Sequence, residues 1–298
     1  MSFNESVRSD SSRVRTSGGR GRAAGLGGGS ILGVIALFLI SQYTGIDLTS
    51  MLSDSPVAQG PTQSAVDLSH CKTGADANAY TECRMVTTAD SLDVVWNAQL
   101  AQQQTGVPYK MPGFEIFRNS VSTGCGNATS AVGPFYCPAD HTVYLDLDFF
   151  TQMERDFGAA NAPLAQEYVV AHEWGHHIQN ISGVFSRYNT REAGPNGGGV
   201  RSELQADCYA GVWMHWASNT VDPESGTAFL KTPTSEEIAQ ALQTAQAIGD
   251  DRLQERFQGS SNPESWTHGS AEQRQKWLMH GLSNGSIAAC NTWEARSL

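Results

Sequence analysis

Apolar residues recur at the helical period in several stretches of the chain and alternate in two others. Over 90–104, Leu92, Val95, Trp96 and Leu100 fall on one side of a helix. Over 163–179, Leu164, Tyr168, Val169 and Ile178 do the same; Asn161 is a candidate N-cap, and Pro163 suits a first helical turn. A third helix is expected over 202–217, where Ser202 and Gln205 have capping-box spacing, and shorter ones over 149–157, 235–248 and 271–281, the last opened by Ser270 with Gln273 at the same spacing. Alternation predicts strands over 114–118 and 142–146. Residues 119–138 read as a Gly/Ser/Cys loop. The tract 182–200 is too glycine-rich to be regular; it is either a mobile rim over the helices it joins or a solvated spacer. The expected fold is α+β, a small antiparallel sheet beside a helical layer.

The start of the chain has a different pattern. Residues 1–25 are rich in Ser, Arg and Gly and nearly free of large apolar side chains, so a disordered basic head is expected. Residues 31–40 are then apolar, and extending that run to 26–46 reaches about 20 residues, enough to cross a bilayer. Five arginines precede it, and no Lys or Arg follows before Lys72. The positive-inside rule then gives one transmembrane helix over 26–46, a cytoplasmic N-terminus and an extracytoplasmic body over 69–298, joined by a linker over 47–68. A cleaved signal peptide and a buried helix compete with this. The long head and the lack of a small-residue cleavage site argue against the first, and no nearby packing partner supports the second.

At 298 residues and 40% hydrophobic content, the chain can bury one sizeable core. Its net charge is −11, and the excess of acid lies beyond the head, which argues against a nucleic-acid partner. Six cysteines, at 71, 83, 125, 137, 208 and 290, all follow the apolar run. An even count placed there suggests disulfides in an oxidising compartment. The expected pairs are Cys71–Cys83 and Cys125–Cys137, which close local loops, and Cys208–Cys290, which pins the C-terminal tail to the 202–217 helix.

Two short runs carry the chemistry. His172-Glu173-Trp174-Gly175-His176 puts two imidazoles four residues apart, on one face of a helix, where one zinc ion can meet both. Glu173 lies beside them as a candidate general base. Glu203 and Asp207, also four apart, offer a third zinc ligand and a carboxylate to orient a ligand histidine. The reverse assignment, Asp207 as ligand and Glu203 as orienter, stays open. His268, just before the 271–281 helix, is a candidate donor to a developing oxyanion; Tyr209 is a weaker one. His177 points about 100° away from His176 and is not expected to bind metal. Trp213 to Trp216 reads as core packing.

The runs AHEWGHHIQN (171–180), RSELQADCYAG (201–211), CGNATSAVGPFYCPADHTVYLD (125–146) and THGSAEQRQKWLMHG (267–281) resemble the bacterial neutral zinc metallopeptidase family. The HExxH–ExxxD pairing also resembles the wider gluzincin group. This resemblance implies a zincin-like fold, zinc as cofactor and a peptide or protein substrate, with the 142–146 strand as an edge for an extended peptide. The expected activity is peptide-bond hydrolysis by a zinc-activated water with Glu173 as base. Two other readings are a zinc hydrolase of non-peptide amides and a non-catalytic, zinc-stabilised binding or assembly module. The oligomeric state is not legible.

Overall fold

The computed structural model describes residues 3–18, 22–23, 58–59 and 65–298. The main sheet holds four strands: β1 (Val14–Gly18), β2 (Gly113–Arg118), β5 (Phe135–Cys137) and β6 (Thr142–Asp146), in the order β1-β2-β6-β5. A separate hairpin, β3 (Ser120–Thr123) with β4 (Gly126–Thr129), follows β2. Phe114 and Ile116 of β2 and Val143 and Leu145 of β6 turn into the core.

The sheet is not antiparallel as expected. β1 runs parallel to β2 and β2 parallel to β6; only β5 is antiparallel to its neighbour. Period-two alternation is the same in both kinds of ladder, so it cannot report direction. The connection through 119–141, which carries the hairpin and β5, returns the chain so that β6 runs the same way as β2. The 142–146 strand therefore lies inside the sheet, and β1 and β5 are its edges. The expected loop over 119–138 contains three short strands.

The helical layer holds α1 (Thr81–Gln102), α2 (Pro163–Ile181), α3 (Gly198–Ala217), α4 (Ser235–Ala247), α5 (Asp250–Gln258) and α6 (Ala271–Asn284). α2 packs against α1, α3, α4 and β5 and is buried along nearly its whole length, beyond the single apolar side read from the sequence. α3 packs against α2 and α6. Local signals were right at some ends and wrong at others. Ser270 and Gln273 form a capping box at α6, and Pro163 opens α2. Asn161 is not the cap of α2; Ala162 takes that position, and Asn161 Oδ1 accepts from Gln166 Nε2 at 2.7 Å. α3 begins at Gly198 with Gly197 as N-cap, so the end of the glycine tract is helical, and Ser202 is buried inside the helix. Val184–Arg187 is also a helical turn, and residues 194 and 195 are tied down: the Gly194 N–H donates to Trp266 O at 2.8 Å, and Gln273 Nε2 donates to Pro195 O at 3.0 Å.

All three expected disulfides are present: Cys71–Cys83, Cys125–Cys137 and Cys208–Cys290. The last closes an 82-residue separation and ties α3 to the C-terminal tail.

The N-terminal head needs the largest correction. Residues 3–18 are not disordered. Phe3 and Val7 are fully buried, β1 extends the main sheet, and Arg13 pairs with Asp93 of α1 at 2.8 Å. Average composition hid this, because a few apolar anchors and one backbone ladder suffice to seat an otherwise polar segment. Since 3–18 and 65–298 form one packed body, a single span between them cannot put them on opposite sides of a bilayer. The expected span over 26–46 lies outside the described residues, as does most of the 47–68 linker. Among the described residues no helix is long and apolar enough to cross a membrane. The fold is α+β, and the transmembrane helix and split topology are withdrawn from it.

Candidate metal centre

α2 and α3 bring the chemical residues together. His172 and His176, one turn apart on α2, have ring centroids 4.8 Å apart. Glu203, in the second turn of α3, faces both: its Oε2 is 3.1 Å from His172 Nε2 and its Oε1 is 3.4 Å from His176 Nε2. One ligand atom from each of the three lies within 4.8 Å of the others. The helices come this close because position 175 is glycine. A Cβ there would meet the Ala206 Cα and carbonyl oxygen of α3, each at 2.9 Å.

The outer nitrogen of each histidine is held by an acceptor, which fixes the ring and turns Nε2 toward Glu203. His172 Nδ1 donates to Asp207 Oδ1 at 2.8 Å. His176 Nδ1 donates to Gln179 Oε1 at 2.9 Å, and Gln179 Nε2 in turn donates to Ser202 O at 2.7 Å. Asp207 is fully buried, and both its oxygens are in use. Oδ1 accepts from Tyr168 Oη at 2.6 Å and Arg274 Nη2 at 2.9 Å, while Oδ2 accepts from Arg274 Nε at 2.8 Å. Glu203, not Asp207, is thus the carboxylate that converges with the two imidazoles.

The charges follow from these contacts. Burial alone would raise Asp207, but Arg274 and His172 hold it down to about 2. Burial would likewise depress His172, yet Asp207 and Glu203 outweigh it and raise the imidazole to about 10. Glu203 is pulled well below its usual value against burial, chiefly by His176. In the metal-free protein the carboxylates therefore hold a proton on His172 and favour one on His176, and a divalent cation would compete with those protons. Two neutral imidazole nitrogens, each with its outer nitrogen held, and one carboxylate suit zinc in donor chemistry and in number. Glu173 is buried beside this group, and burial raises its carboxyl against the pull of His176 and His172.

His268 lies on the loop before α6. Asp250 Oδ1 is 3.3 Å from its Nδ1, and Asp250 Oδ2 accepts the backbone N–H groups of Thr267, His268 and Gly269. Burial opposes a charge on His268, but Asp250 and then Glu203 favour it. His177 stands apart, as expected. Its Nε2 donates to Lys110 O at 2.6 Å, and burial lowers it to about 4. Tyr209 packs edge-on against Trp96 and takes no part.

The sequence reading missed four supporting residues: Tyr168, Gln179, Asp250 and Arg274. Tyr168 precedes His172 by four residues and Gln179 follows His176 by three, so helical spacing alone could have flagged both. Asp250 and Arg274 reach the site from distant segments and left no local signal. Two open cavities, of about 520 and 530 Å3, lie elsewhere, over the outer face of the sheet and beside α4 and α5.

Two histidines of one helix and a glutamate of the next thus converge in a donor set that could hold one zinc ion. The family comparison agrees. The chain belongs to the family described as "Putative neutral zinc metallopeptidase", whose model matches residues 2–293, and zinc is the metal this family implies. The chain is 46% identical over 255 residues to "Uncharacterized protein Rv2575" of Mycobacterium tuberculosis, covering 85% of each chain. It is 37% identical over 297 residues to "Uncharacterized protein YpfJ" of Escherichia coli strain K12, covering 98% of this chain and 96% of that one. No solved structure matches it.

Proposed function

We propose that the chain hydrolyses peptide bonds at this centre, with His172, His176 and Glu203 holding the zinc. Bound zinc supplies Lewis-acid polarisation and makes a water acidic enough to lose a proton near neutral pH. The chain's own residues would do the rest. A Glu173 carboxylate oxygen takes a proton from the attacking water as the new C–O bond forms, and returns it to the leaving nitrogen as the C–N bond breaks. Burial raises the Glu173 carboxyl above its ordinary value, against the pull of His176 and His172. His268, held by Asp250, donates from Nε2 to the carbonyl oxygen as negative charge develops there. β5, the free edge beside α2, offers backbone groups to an extended peptide. The three disulfides favour an oxidising compartment for the body.

The observation that carries this reading is Glu173. A site that only held zinc for stability would not need a further carboxyl, buried at a cost beside the ligands. The test is to incubate the zinc-loaded chain with unfolded protein substrates, next to Glu173→Gln and His172→Ala. Glu173→Gln should keep one zinc and the fold while the rate falls by about 10² to 10⁴. His172→Ala should lose zinc as well. No cleavage by the parent, or equal cleavage by Glu173→Gln, overturns the reading.

A further inference from the structure

The segment 3–18 occupies a groove that the body is shaped to receive. Phe3 is fully buried, and Asn78 brackets its backbone: Phe3 N donates to Asn78 Oδ1 at 2.9 Å, and Asn78 Nδ2 donates to Phe3 O at 3.0 Å. The Asn4 N–H donates to Phe229 O at 3.0 Å, and the Gly74 N–H donates to Val7 O at 2.9 Å. Position 74 has room for no side chain, because a Cβ there would stand 2.0 Å from Asn4 O. Glycine at 74 is needed only with the segment in place. The family match, starting at residue 2, takes the segment in.

Further along, the segment touches the back of the metal helix. The Arg13 guanidinium lies 5.4 Å from the centre of the Trp174 ring and 2.8 Å from Asp93 Oδ2, and Nη2 donates to Pro112 O at 3.2 Å. Trp174 sits between Glu173 and Gly175, and its Nε1 donates to Asp93 Oδ1 at 3.2 Å. Tyr109 donates to the same oxygen. Arg13 is thus the cation for a carboxylate that anchors the metal helix from the face opposite His172 and His176. Without it Asp93 would be a buried charge lacking its counter-ion, and Trp174 would lose a wall of its pocket.

We propose that residues 3–18 act as a built-in docking peptide, and that Arg13 is a positioning residue through which docking holds α2 in its working geometry. The ligand of the groove is this chain's own N-terminal strand, recognised by a buried aromatic at its third residue, a backbone ladder to β2 and one arginine. The idea rests on α2 being the metal-bearing helix, but not on which bond the centre cleaves.

The experiment uses the full chain with a site-specific protease site introduced between residues 24 and 57, cut after folding. In the parent the released N-terminal fragment should co-elute with the body, and the α2 amides should stay protected from hydrogen exchange. Two variants then weaken docking from opposite sides: Arg13→Gln in the segment and Gly74→Ala in the groove. Each should speed exchange in α2 by on the order of tenfold or more, with the disulfides intact, and should weaken zinc in chelator competition. If the chain cleaves peptides, Arg13→Gln should lower kcat more than it raises KM, and Arg13→Lys should restore part of the loss. Parent-like exchange and zinc affinity in both variants would overturn the proposal. Altered exchange and zinc affinity in a chain that cleaves nothing would uphold it while sinking the peptidase reading.

Discussion

Arg274→Met tests the support behind the metal site most directly. Arg274 and Asp207 are both buried and share two hydrogen bonds, of 2.8 and 2.9 Å. Met fills much of the same space but removes the charge. Breaking one half of a buried pair leaves the other charge uncompensated, which costs about 3–5 kcal/mol. For a chain of this size about 2–4 °C is lost per kcal/mol, so a fall in Tm of roughly 6–20 °C is expected. The loss should depend on the metal. In the metal-free protein His172 is protonated, its imidazole raised to about 10, so Asp207 keeps one cation at 2.8 Å after Arg274 is gone. With zinc bound His172 is neutral, and Asp207 loses that cation. Urea unfolding should therefore show a larger cost in the zinc-loaded protein, and zinc affinity should fall by about 10-fold or more. Arg274→Met combined with Asp207→Leu should cost less than the two single changes added together. A single-variant loss below about 1 kcal/mol in both forms would show that the buried pair is not what holds His172.

Gly175→Ala should weaken stability and zinc binding together, because the added Cβ meets backbone atoms of Ala206 at 2.9 Å and pushes α2 away from α3. Overpacking of about 1–3 kcal/mol should outweigh the roughly 0.5–1 kcal/mol that alanine normally gains over glycine in a helix, and zinc titration with thermal melts would check it. The pH dependence follows from buried acids. Burial raises Asp93 to about 6, opposed by Arg13, and raises Glu167 to about 7, opposed by Arg84. Above their unfolded values the folded state holds more protons than the unfolded one, so stability falls as pH rises from about 4 to about 7. His172 has its folded value raised as well and loses its contribution in the same direction as pH climbs toward 10. Melts of the metal-free chain at pH 5 to 8 should show Tm falling, with a shallower fall in Glu167→Gln; a rising Tm would refute the assignment.

Part of this protein is legible in the chain alone, because some of its signals are local. Residues four apart on a helix share a face whatever surrounds them, so the pairing of His172 with His176, and Glu173 beside them, needed only the order of residues. The capping box of Ser270 and Gln273 is local in the same sense. The cysteine pairs were legible because two of them close short loops. Strand direction was not, since the pleat repeats every two residues in both kinds of sheet, and only the path through 119–141 makes β2 and β6 parallel. Nor was the seat of residues 3–18. Phe3, Val7 and Arg13 look like isolated residues in a polar tract until α1, β2 and the short helix beginning at Gly74 are brought around them. Asp207 was marked as an orienting carboxylate from its spacing, but Arg274 and Asp250, which hold the charges behind His172 and His268, come from other helices. Burial is a property of the whole fold. The short-range pattern named the atoms that can bind zinc, and the packing of α2, α3 and α6 decided their charge, their orientation and which carboxylate faces them.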